Sequence, residues 1–216
     1  MAKEIPILFN TPMVQAILSN RKLQTRRVVK PQPEAMPSNY PIPVDDFVKD
    51  LEKLNAKGLC NISSRGATKG LAIPDCPYGE IGDLLWVREK FLYDDGEGIY
   101  WYAASMDNSD VNWLKGSWKP SIFLPKIAAR IWLEITDIKI ERLKDISEKD
   151  ARNEGVETVA DGYKNYMTKP KIISTLMCFD KAYYSFLSLW ESINGYESSE
   201  LNPWVWVITF KKVERP

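Results

Sequence analysis

A lysine and a threonine stand three positions apart in the segment Asn20-Arg21-Lys22-Leu23-Gln24-Thr25-Arg26-Arg27. With Lys30, the residues Arg21, Lys22, Arg26 and Arg27 put five basic side chains within ten positions. A lysine crowded by guanidinium groups has a depressed pKa, and its neutral amine can take the proton of a nearby hydroxyl. That is a route to an activated nucleophile without histidine, with Thr25 attacking and Lys22 acting as base. Geometry sets a condition. Positions i and i+3 share a face on a helix or turn but oppose each other on a regular strand. The chain must therefore bend between Asn20 and Gln24, with Thr25 and Arg27 then sharing one strand face. The same run also reads as a solvated basic face at a helix C-terminus, where cations are favoured. Spacing alone leaves both readings open.

Two further groups carry usable chemistry. In Gly82-Asp83-Leu84-Leu85-Trp86-Val87-Arg88-Glu89, the Gly-Asp pair reads foremost as a turn before an apolar strand. Arg88 and Glu89 at the strand end then either line a pocket or pair with each other. Glu154, in Ala151-Arg152-Asn153-Glu154-Gly155, is a carboxylate in the last turn of a short helix, where the dipole disfavours it. An acid so placed is either in use or surface noise.

The elements that must position these residues follow from pattern. Ile5–Phe9 reads as a short strand. Thr11 as N-cap and Pro12 at the first helical position start a helix whose buried face is Met13, Ala16 and Ile17, stopped by Asn20 in a left-handed conformation. Residues 31–43 carry five prolines and cannot be a helix or an interior strand. A polar helix over Val44–Leu54 and a glycine-rich loop over 55–80 complete an insertion of about 31–80. Beyond Leu84 the chain is rich in β-branched and aromatic residues, with alternation clearest at Ile131, Leu133 and Ile135. Ser147 followed by Asp150 opens a short helix closed by Gly155. Apolar residues at 3–4 spacing predict a helix over roughly Ile172–Ile193, and the apolar run Trp204–Phe210 predicts a strand that is buried on both faces or closes a barrel. The sum is an α+β chain: five to seven strands in a small closed or nearly closed sheet with flanking helices.

Composition narrows the function classes. In 216 residues, Lys+Arg and Asp+Glu are 29 each, so no global field draws the protein onto a polyanion and any such contact is local. The absence of histidine removes imidazole triads, HExxH zinc sites and imidazole acid–base work. Cys60, Cys76 and Cys178 form neither a disulfide framework nor paired metal ligands, so the reading includes no metal and no cofactor. No stretch reaches the ~18–20 apolar residues of a membrane span, and the N-terminus lacks a signal-like apolar run, so a cytoplasmic, reduced protein is expected.

Taken in order, the first helix, Lys22-x-x-Thr25-x-Arg27, Gly82-Asp83 entering a strand, a long strand over 127–140, the Ile146–Val156 helix ending in Glu154-Gly155 and a closing strand resemble the ASCH family of PUA-like domains. The resemblance covers about 85–95 residues. It implies a small PUA-like β-barrel with helices around a cleft, as one domain over 1–216 with insertions at about 31–80, 94–120 and 157–172. Some members remove the acetyl group from N4-acetylcytidine with a Lys, a Thr and a Glu. Carried over, those roles fall on Lys22, Thr25 and Glu154. The segments Gly82–Glu89 and Lys119–Pro125, followed by Ala129-Arg130-Ile131, are similar to a larger phage- and prophage-encoded branch.

Three function classes follow. The first is an amidohydrolase acting on an N-acylated nucleobase or nucleoside, with Arg27 or backbone N–H groups stabilising the oxyanion. The second is a non-catalytic module binding RNA, single-stranded DNA or a modified base weakly. It would use Arg21, Arg26, Arg27, Trp86, Arg88 and Glu89, with Tyr100, Trp101 or Tyr102 as further stacking platforms. The third is a phage interaction or assembly protein. The enzyme reading leads because all three catalytic positions are filled. Oligomeric state is not set by the sequence.

Overall fold

The computed structural model describes residues 2–32, 76–106, 118–167 and 178–216. The predicted helix over Val44–Leu54 and Cys60 lie outside them. The core is a five-stranded sheet made of β1 (Glu4–Leu8), β2 (Gln24–Val28), β3 (Leu84–Arg88), β6 (Trp132–Arg142) and β10 (Trp204–Val213). Their order is β1-β3-β6-β10-β2; β1 pairs with β3 in parallel and the other pairs are antiparallel. No rung joins β1 to β2 among the described residues, so the sheet is not closed. The two edges meet through the Arg27 guanidinium, whose Nη2 donates to the Leu8 carbonyl at 2.7 Å.

Alternation explains the sheet's inner face. Ile131, Leu133 and Ile135 are buried as expected, packed with Ile7, Val87, Ile138, Trp206 and Ile208. Side chains of this kind contribute about 1.5–3 kcal/mol each on full burial. Trp132, on the opposite face of β6, is also buried, against Trp86 and Ala129. Strand β10 is buried on both faces from Trp204 to Ile208, because the inner core covers one side and a second apolar cluster covers the other. That second cluster holds the helices α2 (Glu148–Asn153) and α3 (Ala182–Asn194).

Several boundaries differ from expectation, each for a local reason. Helix α1 (Thr11–Leu18) is capped by Asn10, one residue earlier, because the Asn10 side chain accepts from the Met13 N–H at 3.0 Å. Its buried residues are Val14, Ala16 and Ile17, with Met13 only partly packed. The helix predicted from Ile172 begins at Ala182. Cys178–Phe179 (β9) instead pair with Gly162–Lys164 (β8), which pair in turn with Thr158–Val159 (β7). A tertiary cap starts α3: the Glu148 carboxylate on α2 accepts from the N–H groups of Ala182 and Tyr183 at 2.6 and 3.0 Å. Within the predicted insertion 94–120, β4 (Phe91–Asp94) and β5 (Ile99–Tyr102) form a hairpin. Residues 126–128 form a single 3-10 turn, so the long strand starts at Trp132 and not at 127. None of the helices among the described residues is long and apolar enough to cross a membrane.

Candidate functional site

The bend required between Asn20 and Gln24 is present, and four backbone hydrogen bonds hold it. Asn20 takes the left-handed conformation, with φ of 57°. The N–H groups of Arg21 and Lys22 both donate to Ala16 O, which folds the chain back under α1. Leu23 then bridges two elements, its N–H donating to Asn153 O at the end of α2 and its carbonyl accepting from Phe210 N. Phe210 faces Leu23 as the next rung of the β10–β2 ladder, after Ile208 opposite Thr25 and Thr209 opposite Gln24. Lys22 and Glu154 form an isolated antiparallel bridge beside this corner.

The corner allows no side chain at position 155. Gly155 has φ of +90°, and a Cβ there would lie 2.9 Å from Lys22 Cβ and 3.0 Å from Ala16 Cβ. Gly155→Ala is therefore expected to cost about 2–4 kcal/mol, the sum of a left-handed backbone penalty and overpacking. Urea unfolding measures it, and a loss below about 1 kcal/mol would mean that the Lys22 corner is free to give way.

The Lys22 side chain is 1% exposed and its ammonium donates to Glu154 Oε2 at 2.7 Å and to Glu154 O at 2.9 Å. Arg26 is also buried; its Nη1 donates to Glu154 Oε1 and to Gln24 Oε1, both at 3.0 Å, and its Nε donates to Glu141 Oε1 at 3.0 Å. Lys22, Gln24 and Arg26 alternate along the chain and thus share one face, where Glu154, Glu141 and Asp150 balance them. The expectation of a solvated basic run accordingly fails for Lys22 and Arg26: both heads are turned inward and occupied. Arg21 stays at the surface and donates to Gly155 O at 3.1 Å.

Thr25 and Glu154 line a cavity of about 80 Å³ together with Arg26, Arg27 and the Phe186, Trp190 and Asn194 side of α3. Lys22 is not among its lining residues and reaches the cavity through Glu154. Two buried donors on the cavity wall have no hydrogen-bond partner among the described residues, Arg27 Nε and Trp190 Nε1.

No family model matches the chain, and no curated protein or solved structure matches it. The chemistry therefore rests on the geometry. Burial pushes the Lys22 amine below its ordinary pKa, against the opposing pull of Glu154, with Arg27 and Arg26 adding to the lowering. Burial likewise lowers the Arg27 guanidinium, which still remains charged. A hydroxyl, a carboxylate and a cationic residue thus line one small, largely apolar cavity, with the Lys22 amine behind the carboxylate.

The remaining residues singled out in the sequence lie elsewhere. Trp86, Arg88 and Glu89 belong to β3 and its end, with β6 and β10 between them and β2. Arg88 stacks 4.7 Å above the Trp86 ring, and Glu89 accepts from Arg130 Nε and Nη2 at 2.7 and 2.9 Å. Asp83 serves the turn, accepting from the N–H groups of Lys3 and Glu80. Tyr100 and Tyr102 sit on the β4–β5 hairpin. What sequence reading missed was Gln24, Glu141, Asp150 and the α3 wall. Only Gln24 had a local signal, its i, i+2 spacing from both Lys22 and Arg26.

Proposed function

We propose that the chain is an ASCH-like, PUA-type amide hydrolase that removes a small acyl group from the exocyclic nitrogen of a modified nucleobase or nucleoside. The observation that carries this reading is that Glu154 joins the other two groups, contacting Lys22 at 2.7 Å and lining one cavity with Thr25. The Thr25 proton passes by way of the Glu154 carboxylate to neutral Lys22 as Oγ1 bonds to the acyl carbon. Charge developing on the carbonyl oxygen is met by the unpartnered Arg27 N–H. The carbon–nitrogen bond then breaks, and the leaving nitrogen receives the proton from Lys22 while Glu154 holds it. Water hydrolyses the Thr25 ester, releasing the acid and restoring the hydroxyl.

Size constrains the substrate's pose. A cavity of about 80 Å³ is well below the about 300–1,000 Å³ of sites that enclose a whole ligand. It suits the acyl end alone, with the base held at the mouth against α3. The test is release of acetate from N4-acetylcytidine and its free base by the purified chain. No turnover on any N-acylated base would reject the enzyme.

A pH profile provides an independent check. Only neutral Lys22 can act as base, and its pKa lies below 10.5. Turnover should rise with pH and level off below 10.5; a flat profile or an inflection at 10.5 would exclude Lys22. Stability follows the same sign. Between the lowered folded pKa and 10.5 the unfolded chain binds more protons, so stability rises with pH through that window. Lys22→Met should remove that rise relative to the wild-type chain.

A second reading, a non-catalytic binder of a modified base or single strand, has one observation of its own. Both Glu154 oxygens are already taken, one by Lys22 and one by Arg26. A satisfied network of this kind can hold a cavity in shape without turnover. Saturable binding of N4-acetylcytidine with no acetate release would favour it.

A further inference from the structure

A second concavity, of about 580 Å³, lies on the β4–β5 hairpin and shares no residue with the Thr25 cavity. Its walls include Tyr93, Tyr100, Trp118, Phe123, Pro120 and Lys119. The Tyr93 and Tyr100 rings stand 4.6 Å apart and tilted by 39°, packed against each other as one aromatic wall. Phe123, on the same lining, is 66% exposed. An open groove walled by aromatic side chains is the kind of surface that marks a docking site for a partner.

The chemistry around the groove narrows the partner. None of the lining residues is acidic, Lys119 is exposed at the groove, and Lys90 Nζ sits 5.9 Å over the Trp118 ring. A cationic ligand is thereby repelled, although aromatic walls alone would attract one. Two lysines supply too few phosphate contacts to hold a nucleic acid strand. Proline rings, in contrast, pack flat on Tyr and Trp, and a polyproline II segment leaves every carbonyl free to accept.

We propose that this groove binds an extended, proline-containing acidic segment of a protein partner. The site is independent of the hydrolase reading and stands or falls separately. The test titrates the full ¹⁵N-labelled chain with synthetic peptides carrying a Pro-x-x-Pro core flanked by Asp and Glu. Controls are the same peptides with Ala for Pro, Lys-flanked versions, and a thymidine oligonucleotide. The acidic proline peptide should saturate and shift the one indole signal that Trp118→Phe deletes. Phe123→Ala should weaken it by about tenfold. Lys119→Glu should weaken the acidic peptide and reverse the preference for acidic over Lys-flanked flanks. Both replaced side chains are exposed, so the fold tolerates the changes. Three outcomes would overturn the proposal: no peptide saturating, equal binding of the Ala-for-Pro peptides, or an oligonucleotide binding through Phe123 and Lys119. Self-association abolished by Phe123→Ala would also overturn it, in favour of a second copy of the chain.

Discussion

Glu154→Leu is expected to lower the unfolding free energy by about 3–5 kcal/mol, because it leaves buried Lys22 without a carboxylate and takes one of its partners from Arg26. Lys22 would lose the Oε2 acceptor at 2.7 Å, and Arg26 would lose Oε1 at 3.0 Å. Neither head has water to turn to. The partner replacement should be milder. In Lys22→Met, Glu154 keeps Arg26, Arg26 keeps Glu141, and the burial that depresses the Lys22 pKa is relieved. The double replacement Lys22→Met/Glu154→Leu should accordingly be more stable than Glu154→Leu alone, by about 1–3 kcal/mol of coupling. Urea unfolding of the four proteins measures this cycle. Coupling below about 0.5 kcal/mol would mean that the pair is not a unit, and the network account would fail.

Thr25→Val is expected to reduce acetate release from N4-acetylcytidine by about 10³-fold or more, since nucleophile and base act together. Thr25 lies mid-strand on β2 opposite Ile208, where a β-branched residue of the same outline keeps the ladder and packing. Thermal unfolding should therefore change little, which separates loss of the hydroxyl from loss of the fold. Thr25→Ser keeps an attacking hydroxyl and should retain a substantial part of the rate. In Lys22→Met the rate should fall about as far, and the double replacement should fall no further. If Thr25→Val turned over normally, Thr25 would be only a wall of the cavity. Additive losses would instead assign Lys22 and Thr25 to separate tasks.

Much of the local architecture was legible in residue types. Asn20 stops α1 in the left-handed conformation, Ser147 caps α2 by accepting from Asp150 N, and Gly82 with Asp83 makes the turn into β3. Ile131, Leu133 and Ile135 fill the core face. These features depend on a few neighbouring backbone torsions or on the strand's period of two, which sequence states directly. Where the cap came from a distant side chain, local reading failed, as with Glu148 at the start of α3. The strand pair of Cys178–Phe179 with Gly162–Lys164 overrode a helical spacing for the same reason.

The candidate site divides along the same line. Sequence determined that a Lys, a Thr and an Arg would lie on one bend and that a Glu would end a short helix. Only the tertiary structure decided what those charges meet. A basic run looks solvated until Glu154, 132 positions from Lys22, and Glu141, 115 positions from Arg26, arrive beside it. The β6-β10-β2 pairing, the Leu23 contact with Asn153 and the missing Cβ at Gly155 bring them there. Burial and charge pairing are sums over the whole fold, so the electrostatic state of Lys22 and the size of the cavity beside Thr25 are not written in any one segment of the chain.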